Sequence, residues 1–161
     1  MFLEWEPIGD CTGHQTGRAL LGRMYEKYVG GSQPAIAVTE RGKPYWPDSI
    51  WHFSISHTKH HVFCALSRKN IGIDAEEIDR TISRALAERI LSPGEKAQWE
   101  AAPDQRLALL TFWVLKEAYV KMTGEGLKGY PKGTDFLLSD PRVRRYHDCL
   151  VAVIEEEDHV I

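Results

Sequence analysis

Asp74 and Glu76 stand two residues apart in the stretch Ile71-Gly72-Ile73-Asp74-Ala75-Glu76-Glu77-Ile78. Apolar residues alternate there with a glycine and then with carboxylates, the pattern of a strand with two unlike faces. Ile71, Ile73 and Ala75 share the face that can enter a core; Gly72, Asp74 and Glu76 share the other. Two carboxylates about 7 Å apart along a strand, beside a position with no side chain, suit a hard cation with room for a bulky ligand next to it. Glu77 falls on the opposite face and is expected to be solvated.

A third carboxylate stands about 40 residues later, in Phe112-Trp113-Val114-Leu115-Lys116-Glu117-Ala118-Tyr119-Val120-Lys121. This helix is apolar over most of its circumference and should be buried. At about 100° per residue, Trp113 and Lys121 lie roughly 40° either side of Glu117, while Lys116 points about 100° away. A carboxylate in an apolar stripe must find a cation or shift its pKa. Two partners are open. One is Lys121, in a surface ion pair worth a few tenths of a kcal/mol; the other is a metal shared with Asp74 and Glu76. Trp113 is expected to pack in the core.

The elements that must position these groups follow from composition and pattern. The chain has 161 residues, of which 43% are hydrophobic, enough for one core in an ordinary globular composition. A net charge of −3 leaves no basic surplus for a nucleic-acid backbone. The apolar run around Leu107–Leu115 is too short to span a membrane. No basic segment followed by an apolar run marks a signal peptide at the N-terminus. Cys11, Cys64 and Cys149 are odd in number and widely spaced, which suggests neither a disulfide framework nor a zinc site and points to a reducing cytoplasm. A monomer without nucleic-acid or membrane partners is expected.

Along the chain, a short strand is expected within Met1–Pro7, a helix over Thr12–Val29 ending at Gly30-Gly31, and strands over Ala35–Thr39, Phe53–Ser56 and Val62–Leu66. With the Asp74 strand and its short turns, the last two suggest an antiparallel sheet, with His57–His61 as a tight polar connection. Helices follow at Ser83–Ile90, from Ser92 to about Ala101, and from an Asp104 cap to about Thr123, closed by Gly124 and Gly126. Ser92-Pro93-Gly94-Glu95 has the form of a capping box, which by itself accounts for Glu95. Asp135–Leu138 and Cys149–Ile154 read as strands, and Glu155–Asp158 as a solvated acidic end. The class is α+β.

Two side issues bear on function. His57, His60 and His61 are too close in sequence to converge easily on one ion, and no cysteine stands near them at ligand spacing, so a transition-metal site is not expected. Between Lys116 and Arg145 seven basic residues face four acidic ones, a local +3 from Lys116, Lys121, Lys128, Lys132, Arg142, Arg144 and Arg145 against Glu117, Glu125, Asp135 and Asp140. That surface could steer an acidic partner or be an ordinary solvated face.

The order Arg18-Ala19-Leu20-Leu21-Gly22, Gly42-Lys43-Pro44, Phe53-Ser54-Ile55-Ser56-His57, Gly72-Ile73-Asp74-Ala75-Glu76, Phe112–Lys121 and Gly124-Glu125-Gly126-Leu127 resembles the 4′-phosphopantetheinyl transferase superfamily, in particular its surfactin-synthetase-activating type. The resemblance runs from about residue 18 to 127. It implies two similar α+β halves related by a pseudo-twofold axis, here 1–70 and 71–161, forming a single compact unit with coenzyme A between them. It implies Mg²⁺-dependent transfer of phosphopantetheine from coenzyme A to a serine of an apo acyl or peptidyl carrier protein, with 3′,5′-adenosine bisphosphate leaving. Carried over residue by residue, Asp74, Glu76 and Glu117 would hold Mg²⁺, Glu117 would take the serine proton and Lys121 would stabilise the pyrophosphate. Lys116 would contact phosphate, Arg18 and His57 would face the 3′-phosphate, and Lys43 would lie near the adenine. The pattern departs from the family in one respect: Met1–Gly17 has no Lys or Arg ahead of Arg18, only His14. The chain is also shorter at both ends than the family pattern. A non-catalytic relative binding a carrier protein or nucleotide, and a Mg²⁺-dependent phosphotransferase with another acceptor, are the alternatives.

Overall fold

The computed structural model describes residues 1–126 and 135–157. In chain order the elements are β1 (Phe2–Pro7), α1 (Gly13–Tyr28), β2 (Ala37–Val38), β3 (Pro44–Tyr45), β4 (His52–His57), β5 (His61–Ser67), β6 (Ile71–Glu77), α2 (Arg84–Ile90), α3 (Pro93–Ala101), α4 (Gln105–Thr123), β7 (Val143–Tyr146) and β8 (Cys149–Glu155). The helices begin where the sequence supplies caps. Thr12 and Gln15 form a capping box on α1, Ser92 and Glu95 form another on α3, and the Asp104 carboxylate accepts from the Leu107 N–H at 3.0 Å. Gly124, at φ 74°, closes α4 in the left-handed conformation that glycine adopts without strain.

The chain is mixed helix and sheet, as its patterning predicts. The strands, however, sort into two antiparallel three-stranded sheets, β1-β5-β4 and β6-β8-β7, with β2-β3 as a separate ribbon. The single sheet expected from β4, β5 and β6 is therefore corrected: β1 takes the free edge of β5, and β6 pairs with β8 from Ile71↔Glu155 to Glu77↔Cys149. The two sheets are stitched where β4 meets β6 by side chains. The hydroxyls of Ser54 and Ser56 accept from the Ile73 and Ala75 N–H groups, each at 3.0 Å, so these buried donors are paired without a backbone ladder.

Asp135–Leu138 is not a strand. Its backbone is satisfied by side chains of α3: Phe136 N–H donates to Glu95 Oε2 at 2.9 Å, Gln98 Nε2 donates to the Phe136 carbonyl at 2.9 Å, and Leu138 N–H donates to Gln98 Oε1 at 3.2 Å. The polar Val-Arg-Arg-Tyr of β7 carries too little apolar signal to be read as a strand, and forms one by pairing with β8. The expectations for Leu127 and Asp158 lie outside the described residues.

Three apolar clusters hold these layers. Leu20, Leu21 and Met24 of α1 pack on Phe53, Val62 and Leu66. Phe63, Ala65, Ile71, Ile73 and Val151 pack between the sheets. Phe112, Leu115 and Ala118 of α4 pack with Ala152 and Ile154 of β8. The closest approach is at Gly72, where a Cβ would stand 2.0 Å from the Ala118 carbonyl oxygen and 2.4 Å from the Met122 nitrogen. The space expected there for a ligand is filled by the backbone of α4. Because the obstacle is backbone, no rotamer change relieves it. Gly72→Ala should lower the unfolding free energy by about 3 kcal/mol or more, read as a fall in the urea midpoint.

Candidate active site

The crossing at Gly72 sets Asp74 and Glu76, on the same face of β6, against α4. Asp74 is buried, and Lys121 Nζ donates to its Oδ1 at 3.1 Å. Its Oδ2 is buried without a partner. Glu76 Oε1 accepts from Trp113 Nε1 at 3.0 Å and is ion-paired with Arg80, whose guanidinium also stands over the Trp113 ring. Trp113 is thus half-buried and orients a carboxylate, beyond the packing role expected of it. Glu117 is half-buried and close enough to Asp74 to act on its charge. The three carboxylates therefore neighbour one another, but their oxygens do not all come within 4.8 Å.

Burial pushes the Asp74 carboxyl up to about 7; Lys121 opposes that rise, while Glu76 and Glu117 add to it. An orphaned buried oxygen, with like charges crowding it, is the environment a divalent cation would relieve. The donor set is all carboxylate, which suits Mg²⁺, and Mg²⁺ needs only one or two protein carboxylates when phosphate oxygens and waters complete its shell.

Lys121 also lines a cleft of about 450 Å³. Arg18 and His14 come to it from α1, Arg41 and Lys43 from the β2–β3 turn, and His57 from the end of β4. Val38, Pro44, Phe53, Ile55 and Val120 form an apolar wall. Among the described residues no carboxylate lines it. Such a cleft suits a ligand with several phosphates and a flat apolar part. The sequence reading picked out Arg18, Lys43, His57 and Lys121, and the fold brings all four to this cleft. Lys43 is nevertheless engaged: its amine donates to the Met122 carbonyl at 2.6 Å and to Asn70 Oδ1 at 2.7 Å, holding the C-terminal end of α4. Burial lowers its pKa to about 8. Arg41 was missed, since its signal is only its place in the turn before Gly42. His14 stands four residues before Arg18 on one face of α1, a spacing legible in advance.

Lys116 does not reach the cleft, which corrects the phosphate contact expected of it. Its side chain and that of Glu95 are both fully buried, with Nζ 2.7 Å from Glu95 Oε1 in an ion pair that lacks good hydrogen-bond angles. Glu95 also accepts from Ser92 N–H and Phe136 N–H, each at 2.9 Å. It therefore does more than cap α3: it joins α3, α4 and the 135–138 segment. The helical angle that separates Lys116 from Glu117 is the physical reason. The basic patch also thins, because Lys116 is internal, Arg142 is ion-paired with Asp140 at 2.7 Å, and Lys128 and Lys132 lie outside the described residues.

Residues 70–151 match the family model of the 4′-phosphopantetheinyl transferase superfamily. A 4′-phosphopantetheinyl transferase of Bacillus subtilis is 37% identical over 121 residues, covering 68% of this chain and 53% of the relative. The 4′-phosphopantetheinyl transferase Sfp of Bacillus subtilis strain 168 is 34% identical over 113 residues, 68% of this chain and 49% of the relative. The 4′-phosphopantetheinyl transferase HetI of Nostoc sp. is 32% identical over 121 residues, covering 69% and 51%. The chain spans about half the length of the curated relatives it matches.

Two outcomes follow from these environments. The folded state holds the Asp74 proton more tightly than an unfolded chain, whose aspartate titrates near 3.8. The resulting stability is fully present below 3.8 and lost as pH rises through about 7. Urea titrations of metal-free protein should show this decline, and Asp74→Asn should flatten it. Lys116→Met strands the Glu95 charge in the core and should cost about 3–5 kcal/mol, with part recovered when Glu95→Gln is added.

Proposed function

The chain belongs to the 4′-phosphopantetheinyl transferase superfamily, and from that premise we propose that it transfers the 4′-phosphopantetheine group of coenzyme A to a serine of an apo acyl or peptidyl carrier protein. The observation that carries this reading is a basic cleft with one apolar wall that ends at Lys121, the same residue that touches the buried carboxylate Asp74. Coenzyme A has the matching parts: a 3′-phosphate, a pyrophosphate and a heteroaromatic base.

In this reading His14, Arg18 and His57 bind the 3′-phosphate. His14 takes the place of the basic residues missing ahead of Arg18. The apolar wall receives the adenine, with Lys43 shaping that end through its hold on α4. Lys121 draws in the pyrophosphate, and Glu117, directly or through a water it orients, takes the proton of the carrier serine. The serine oxygen forms its bond to the β-phosphorus as the bond to the bridging oxygen breaks, and 3′,5′-adenosine bisphosphate leaves. Asp74, Glu76 and Glu117 would hold Mg²⁺, which when bound neutralises charge on the leaving bisphosphate. Residues 1–70 and 71–161 are read as two similar halves about a pseudo-twofold axis, forming one unit with the cleft between them. The three free cysteines fit a cytoplasmic setting.

Incubation with coenzyme A, Mg²⁺ and a panel of apo acyl and peptidyl carrier proteins tests the proposal by intact mass. One phosphopantetheine should be added, and the addition should be lost on chelation and in Asp74→Ala. Glu117→Ala should lower the rate by about 10²–10⁴-fold; transfer at the parental rate would remove Glu117 from its role. Coenzyme A binding without transfer to any carrier would identify a non-catalytic binding module instead.

A further inference from the structure

The β4–β5 turn and the β7–β8 turn meet at the end of the two sheets, and three residues of metal-ligand type meet there with them. His61 opens β5, Asp148 lies in the β7–β8 turn and Cys149 opens β8. Their ligand atoms all lie within 4.8 Å of one another, and no other such trio of histidine, cysteine and carboxylate side chains occurs among the described residues. His61 Nδ1 is 3.7 Å and Cys149 Sγ is 3.6 Å from the same oxygen, Asp148 Oδ1. A tetrahedral zinc site has nitrogen–oxygen edges of about 3.3–3.5 Å and sulfur–oxygen edges of about 3.5–3.7 Å, given its bond lengths. The sulfur–oxygen separation falls within its range, and the nitrogen–oxygen separation exceeds its own by about 0.2–0.4 Å.

Cys149 Sγ donates to Thr58 Oγ1 at 3.9 Å and to Asp148 Oδ1, but two polar atoms beside them have no protein partner. His61 is nine-tenths buried, and its Nδ1 has no hydrogen-bond partner. Its ring is held edge-on by Trp5 at 5.4 Å. Glu77, paired with Cys149 across β6 and β8, has a buried Oε1 that is likewise unpartnered. It is half-buried, not solvated as its place in the sequence suggested. His147 is 62% exposed with its ring 5.3 Å from that of His61, sits at φ 55° where glycine is the usual residue, and places Nδ1 3.0 Å from Asp148 Oδ1. Two orphaned atoms beside a thiol and a carboxylate have no explanation in the cleft chemistry, and none of His61, Asp148 and Cys149 lines the cleft.

We propose that His61, Asp148 and Cys149 form a second metal site, for a borderline divalent cation of the zinc type, with Glu77 and His147 flanking its fourth position. Imidazole, thiolate and carboxylate together match that cation and not Mg²⁺, which takes oxygen. One thiolate and one carboxylate balance its two charges, so the three-ligand set is neutral before Glu77 adds its own charge beside it. The half-exposed Asp148 leaves the ion a way in from solvent. Bound there, the ion ties the β4–β5 turn to β8 and so joins the two sheets at the end away from the Gly72 crossing.

The test is a Co²⁺ titration of the metal-stripped full chain, which is independent of coenzyme A and of any carrier. A thiolate-to-cobalt charge-transfer band should grow to one equivalent and be displaced by Zn²⁺. Cys149→Ser should abolish it, Asp148→Asn should weaken binding about tenfold or more, and Cys11→Ser, which changes an exposed thiol, should leave it intact. Zn²⁺ should raise the Tm of the parent and not that of Cys149→Ser. Should Cys149→Ser fail to fold, Asp148→Asn in its exposed turn carries the test. No band in the parent, a band that survives Cys149→Ser, or one that requires Cys11 would each overturn the proposal. Transfer activity can fail or succeed without touching this result.

Discussion

One close contact governs this molecule: the backbone of α4 crosses β6 at Gly72 with no room for a side chain. Helices normally rest on sheets through layers of side chains. Here the layer is missing at one point, so α4 lies deeper, and the two carboxylates that follow Gly72 on the same face meet the helix directly. Asp74 meets Lys121 and Glu76 meets Trp113. The site owes its electrostatics to this depth, because the same approach that aligns Asp74 also removes it from water and raises its pKa.

A deep helix must also place its polar residues. Lys116 points away from the Asp74 side, and at full burial it is matched by Glu95 with two further N–H donors on that carboxylate. A buried pair of this kind is weak evidence for net stability but strongly constrains which neighbours can surround it. It holds α3 and the 135–138 segment to α4, and so steadies the helix that carries Glu117 and Lys121. Two lysines on one helix thus do unlike work, one structural and one at the cleft.

Charge is segregated in the same way. Basic side chains from α1, the β2–β3 turn and β4 surround the cleft without a carboxylate among the described lining residues, while the carboxylates cluster behind Lys121. Lys121 is the boundary between the two fields. At the far end of the sheets, His61, Asp148 and Cys149 make a third polar cluster that softer donor atoms set apart from both. The structure therefore keeps clustered carboxylates, the basic residues of the cleft and the sulfur–nitrogen donors in separate places.

Much of this was legible in the residues. Period-two alternation in 71–77, helical spacing in 105–123, and the caps at Thr12, Ser92 and Asp104 are local properties, and local interactions decide them. The ordered motifs single out Asp74, Glu76, Glu117, Lys121, Arg18, Lys43 and His57. What was hidden is what depends on partners distant in sequence. Lys116 looked like a ligand contact until packing buried it against Glu95. The 135–138 segment looked like a strand until side chains took its hydrogen bonds. His61 lacked a cysteine at ligand spacing because that cysteine is 88 residues away, brought beside it only when β8 adds to β6. Sequence alone determined the helices, most of the strands and most of the residue types of the candidate site, since short-range sterics and polarity act within a few residues. Only the tertiary structure decided which charges are buried, which meet, and which are left without a partner, because those follow from how the sheets and α4 close upon one another.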